Sequence, residues 1–102
     1  NELSIPLEIT KSWFWLQLAI LLGVGLNLST DIEGMKLVED ASYNFSETDH
    51  AFAFHENGTF TSDHIKLLRV LSAQPPRIAA QVKGIDNLIT ECLWVAERAV
   101  AH

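Results

Sequence analysis

The sequence predicts a mainly helical α+β chain with one small β-hairpin, and three observations carry that reading. A nearly unbroken apolar run extends from Trp13 to Leu28; apolar side chains recur at helical spacing from Ile65 to Leu71 and from Ile78 to Ala99; and Asn57-Gly58 lies between two short runs of strand-forming residues. Helical periodicity and a turn dipeptide between such runs are the primary local signals for these elements. On this basis the 102 residues divide into an extended arm over 1–11, an apolar helix over 12–29, and a small acidic helical domain over 30–102 with its hairpin near 51–61.

The arm is suggested by alternation from Leu3 to Ile9, in which Pro6 removes one ladder donor. In the apolar run that follows, only Gln17, Gly23, Gly25 and Asn27 are not apolar, and no polar stripe recurs at helical spacing. A helix that is apolar all round must be covered all round, and a small domain has little surface with which to do it. Two environments meet that need, lipid or a protein partner. Sixteen residues rise about 24 Å, short of the ~30 Å hydrocarbon layer, and Ser12, Ser29 and Thr30 bring the run within reach of it. The eight Leu, Ile, Val and Phe residues from Phe14 to Leu26 favour insertion by about 2–5 kcal/mol in total. Trp13 and Trp15, with Lys11 just outside them, match an interfacial belt. The chain therefore reads as a single-pass membrane protein in preference to a soluble cytoplasmic one, with burial by a partner as the alternative.

Thr30 and Glu33 form a capping-box pattern ahead of Ile32, Met35 and Val38, which predicts a short amphipathic helix from Thr30 to Asp40. The polar stretch from Ala41 to His50 reads as a loop. Residues 51–55 and 59–61 flank Asn57-Gly58, which suits a type I′ hairpin with Phe52 and Phe54 on one face against a helix. Thr61 is a good N-cap, Phe60 and Ile65 are spaced as a hydrophobic staple, and the helix they open runs to Gln74, where Pro75-Pro76 breaks it. Pro76 can occupy the first position of the next helix.

That last helix carries the clearest seam, formed by Ile78, Val82, Ile85, Ile89, Cys92, Ala96 and Ala99 at spacings of four and three. Leu88, Leu93, Val95 and Val100 widen it to the width of a bundle face, and Trp94 points to the opposite side. These residues, with Trp13 and Trp15, are the candidate interface, and other protein subunits or a second copy of the chain are the candidate partners.

Charge narrows the partners. The net charge is −6, and between Asp31 and Asp63 eight acids face Lys36 alone, while five scattered bases meet three acids from His64 onward. This distribution excludes nucleic acid as the expected partner and favours self-association or a basic protein.

Three acid–histidine neighbours, Asp49-His50, His55-Glu56 and Asp63-His64, raise the question of a metal or acid–base site. In the predicted hairpin Ala51 pairs with His64, which leaves His55 two pairs away and turns His50 to the other face, so no metal site is expected. Cys92 is the only cysteine, so no internal disulfide is possible, and its place in an apolar stripe marks it as an inert buried thiol. No phosphate-binding loop, dinucleotide fingerprint or nucleophile elbow is present, so neither an enzyme nor a cofactor is expected. Asn27, Asn44 and Asn57 each open an N-x-S/T sequon.

Two local resemblances complete the reading. Gly58-Thr59-Phe60-Thr61-Ser62 before a helix is similar to the second half of an EF-hand loop, with Phe45, Glu47 and Phe52 suitably placed for a preceding helix. That register puts Ala53, His55, Asn57 and His64 at the first, third, fifth and twelfth positions, where the family uses Asp and a bidentate Glu, so the likeness implies no calcium binding. Phe60 to Gln74 resembles the closing helix of GAF sensory domains, which often begin with Phe-Thr and end with Gln; here Pro75-Pro76 stands where that family continues its helix, and no ligand-site residue is carried over. The function expected from the sequence is that of a non-catalytic accessory or structural subunit of a membrane-associated complex, acting by helix-mediated assembly. The alternative is a soluble oligomeric regulatory or interaction domain whose apolar helix its partner buries.

Overall fold

Four helices and a three-stranded antiparallel sheet make up the chain, described over residues 5–100 in a computed structural model. In chain order these are α1 (Leu7–Leu21), β1 (Ser42–Ser46), β2 (Ala51–Phe54), β3 (Phe60–Thr61), α2 (Ser62–Ala73), α3 (Pro76–Ala79) and α4 (Ile89–Val100), with a single 3-10 turn (Ile85–Asn87) before α4. The α+β class with a hairpin is as the sequence predicts. Extents of 43 × 29 × 18 Å leave room for two layers in the thinnest direction.

Helix α1 begins earlier and ends sooner than predicted. Residues 7–11, predicted to lie in an extended arm, are helical, and the Pro6 carbonyl accepts the first amides, from Ile9 and Thr10; residues 1–4 of that arm lie outside the described residues. At the other end Gly23 N–H bonds to Ile20 O and Val24 N–H to Ala19 O. This is a Schellman stop, and it requires the left-handed φ of 80° that Gly23 adopts without a Cβ penalty. Fifteen residues give about 22 Å of helix. Among the described residues no helix is long and apolar enough to cross a membrane, which corrects the single-pass reading. The chain itself supplies part of the cover that lipid was expected to give: Ile9, Ser12, Leu16 and Ala19 are buried, and α4 is the most extensive neighbour of α1. Ser12, Ala19, Cys92, Ala96 and Ala99 have no exposed surface, so small side chains are set among Ile9, Leu16 and Val95 in the core that these two helices span. Gln17 ties α1 to α2 by donating to the carbonyls of Leu71 and Ser72 at 3.1 and 2.9 Å, which caps the C-terminal end of α2.

The helix predicted over Thr30 to Asp40 does not form. Asp31 Oδ1 accepts the amides of Glu33 and Met35, and Asp31 N–H bonds to Met35 O, closing a tight turn within a Thr30–Lys36 bridge. The Thr30 hydroxyl accepts from Asn27 Nδ2 and makes no capping box with Glu33. An Asp side chain that satisfies its own local amides competes directly with the helix. The segment is then laid along the outer edge of β2, where Ile32 N–H bonds to Phe52 O, and Arg69 of α2 holds it through two bonds to Leu28 O.

The hairpin also moves. The predicted loop contains β1, which pairs with β2 in the register Tyr43↔Phe54 and Phe45↔Phe52 across a four-residue turn. Strand β3 then pairs with the opposite edge of β1, giving the order β2-β1-β3. Asn57-Gly58 belongs to the connection that wraps the end of β1 from β2 to β3. Gly58 is needed there for another reason than a type I′ turn: a Cβ on it would stand 2.4 Å from Tyr43 O, inside the strand backbone. Phe45 to Phe52, where the EF-hand likeness needs a helix, forms strand and turn.

Helix α2 follows the sequence closely, from the Thr61 cap to Ala73, with Phe60 and Ile65 both buried. The last helix does not run unbroken from Pro76: α3 ends at Ala79, Gly84 is left-handed, and the 3-10 turn intervenes before α4 starts at Ile89.

Candidate interaction surface and a buried histidine pair

The predicted C-terminal seam faces inward. Ile85, Ile89, Cys92, Ala96 and Ala99 are buried in the core of the chain, Val82 is half-buried against it, and Ile78 is partly exposed. Burial pushes the Cys92 thiol up to about 12, with the Glu91 charge adding to the effect, and its S–H points to His64 O at 3.6 Å. Trp13 and Trp15 are half-buried and pack against the same core.

The exposed apolar surface lies instead on the outer side of α1. Leu7, Lys11, Phe14, Leu18 and Leu21 follow one another at spacings of four and three, which places them on one helical stripe. It runs opposite the buried stripe of Ile9, Ser12, Leu16 and Ala19. Leu7 is 64% exposed, Phe14 51% and Leu21 82%, and Leu22 extends the patch past the helix end. Lys11 and Glu8 are the only charges on α1, so the helix is net neutral in a chain of −6. The sequence held the signal for this surface, since the same spacing that marks the inner stripe also marks the outer one. A second exposed patch, of Ile32, Met35, Val38 and Phe54, borders an open groove of about 540 Å3 with Asp31, Glu33 and Lys36 on its wall.

The acid–histidine neighbours go to separate partners. His50 Nδ1 lies 2.9 Å from Val24 O, and His55 Nδ1 accepts the Asn57 amide at 3.1 Å. Among the described residues no three His, Cys, Asp or Glu side chains gather as a metal site would require. His64 is buried, 7% exposed. It completes the cap of α2 by accepting Thr61 N–H at Nδ1 (3.1 Å), which leaves the ring proton on Nε2. Nε2 faces Glu91 Oε1 at 3.5 Å, beyond good hydrogen-bond length, and both atoms are enclosed without a hydrogen-bond partner. Nothing local in the sequence marks this pair, whose members are 27 positions apart.

Beside Glu91 lies a shallow, mainly apolar recess of about 280 Å3, lined by Thr59, Phe60, Thr90, Glu91 and Trp94. Phe60 and Trp94 stack with their ring centres 6.3 Å apart, and Phe45 meets Trp94 edge-on at 6.0 Å. The Arg98 guanidinium sits 4.6 Å from the Trp94 ring centre. Trp94 therefore covers the sheet and keeps 38% of its surface exposed. No family model matches the chain, and no curated protein or solved structure is significantly similar to it.

Proposed function

We propose that the chain is a non-catalytic interaction domain that pairs with a second copy of itself through the outer stripe of α1. The observation that carries this reading is the 4-3-4-3 spacing of Leu7, Lys11, Phe14, Leu18 and Leu21, on which Leu7, Phe14 and Leu21 are exposed and Leu18 is half-buried among the described residues. A seam with that repeat is what a facing helix packs into, knobs into holes, and one Lys among its positions restricts register at some cost in stability. With an aromatic side chain worth about 150–250 Å2 and a leucine somewhat less, the exposed fractions of Leu7, Phe14, Leu21 and Leu22 correspond to roughly 400–500 Å2 per protomer. Two copies would bury about 900 Å2, the size of a weak, dissociable contact. Charge supports a second copy over a foreign partner. The acids are concentrated in 31–63, so two net-neutral helices can meet away from that charge, and a basic partner would find on α1 only Glu8, offset by Lys11.

Light scattering after size exclusion, over a wide range of concentration, tests this. The wild-type chain is expected to elute as a dimer that dissociates on dilution, and Leu21→Asp as a folded monomer. A wild-type monomer at every concentration would refute the reading, and so would a dimer that survives both Leu21→Asp and Phe14→Glu, because the contact would then lie elsewhere.

A further inference from the structure

The recess beside Trp94 combines three features that α1 does not share: aromatic walls, apolar lining, and a carboxylate whose charge is incompletely answered. Glu91 bridges the buried imidazole and the recess. Its Oε1 is enclosed next to His64 Nε2, while its side chain as a whole is 38% exposed and forms part of the recess wall. Among the described residues no lysine or arginine pairs with it; Arg98, the nearest base on the same helix, is directed to Glu47 and Glu97. With Nδ1 held as an acceptor by Thr61 N–H, His64 offers Glu91 a ring N–H dipole and no full charge.

We infer that this recess is a binding site for a small organic ammonium ion, with Glu91 answering the charge and Phe60 and Trp94 receiving the apolar body. A cation beside a carboxylate and over an aromatic face gains from both at once, most strongly where water is displaced. Trp94 already accepts one cation, since Arg98 lies over its ring one helical turn toward the C-terminus. The recess opens toward the other end of α4, where Thr90 and Glu91 sit one turn back. An anion is disfavoured by Glu91, and a metal ion would find only Glu91 and the His64 ring, since among the described residues no third ligand gathers there. At about 280 Å3 the recess falls just below the ~300–1,000 Å3 of pockets for drug-sized ligands, which suits a ligand of one ring or one branched alkyl group.

The test is a titration of the 15N-labelled chain with 2-phenylethylammonium and, separately, with the neutral 2-phenylethanol, read at the Trp94 indole and at the Thr59 and Thr90 amides. The ammonium ion is expected to give saturable shifts at these positions and to bind about tenfold more tightly than the alcohol. Glu91→Gln is expected to reduce its affinity to that of the alcohol. Absence of saturable shifts, equal affinity for the two probes, or unchanged ammonium binding in folded Glu91→Gln would each overturn the assignment. If Glu91→Gln does not fold, the two probes on the wild-type chain decide the matter alone.

Discussion

The two sides of α1 carry stripes at the same helical spacing, yet one is sealed in the core and the other faces outward. Ile9, Ser12, Leu16 and Ala19 alternate large with small, and the small members face a core in which α4 contributes Cys92, Ala96 and Ala99. Leu7, Phe14, Leu18 and Leu21 are all large, with Lys11 among them, and among the described residues no element covers Leu7, Phe14 or Leu21. Close approach of two helix backbones needs small residues, whereas an uncovered row of large ones has the character of a knobs-into-holes seam. The inner stripe thus accounts for the fold, and the outer stripe for the proposed association.

Substitutions can separate these roles. Leu16→Ala, on the inner stripe, is expected to have the largest effect, a loss of about 2–5 kcal/mol in denaturant unfolding, because it leaves a cavity where surface is almost absent. Gln17→Ala comes next. It removes the donors to Leu71 O and Ser72 O and is expected to cost about 1–3 kcal/mol, with loss of amide protection at the end of α2 in hydrogen exchange. Leu21→Asp, at the most exposed position, is expected to change the stability of the dilute chain by no more than about 0.5 kcal/mol while abolishing the dimer. A destabilisation as large as that of Leu16→Ala would erase the distinction between the two faces.

The smallest effect is expected at the exposed Lys66–Glu39 pair. Each partner shifts the other, with the hydrogen bond and the charge of Lys66 lowering Glu39 and those of Glu39 raising Lys66. A lowered carboxylate contributes stability that is present above its unfolded value and lost as pH falls; a raised amine contributes stability that is present below its unfolded value and lost as pH rises. Because both groups are exposed, Lys66→Ala is expected to leave the thermal midpoint at neutral pH unchanged within error. A clear drop would mean that this pair anchors the 24–40 segment, a role otherwise assigned to Arg69 and its bonds to Leu28 O.

Much of this was legible where the signal was local. Thr61, Phe60 and Ile65 announced α2, whereas the apolar helix expected over 12–29 stops at Leu21, two residues before Gly23. The spacing of Ile85, Ile89, Cys92, Ala96 and Ala99 marked one packed stripe, but it was read as a surface for a partner, and the chain itself covers it. Two errors came from local signals that non-local or competing contacts overrode. Asn57-Gly58 has the composition of a hairpin turn, but the pairing of β1 with both β2 and β3 makes it a crossing over the strand end, where Gly58 is selected by the Tyr43 backbone. Thr30 and Glu33 have the spacing of a capping box, but Asp31 takes the amides that a helix would use. The His64–Glu91 pair was not legible at all, since only the packing of α2 against α4 brings it together.

The central claim, that the outer face of α1 meets its counterpart in a second copy, is tested most directly by paramagnetic relaxation between chains. A nitroxide placed by Lys11→Cys in an unlabelled chain would react there alone, because Cys92 is buried and its thiol is pushed up to about 12. Mixed with 15N-labelled wild-type chain, it is predicted to broaden the amides of residues 7–21 in the partner. Broadening absent throughout, or confined to the acidic 31–63 segment, would contradict the account.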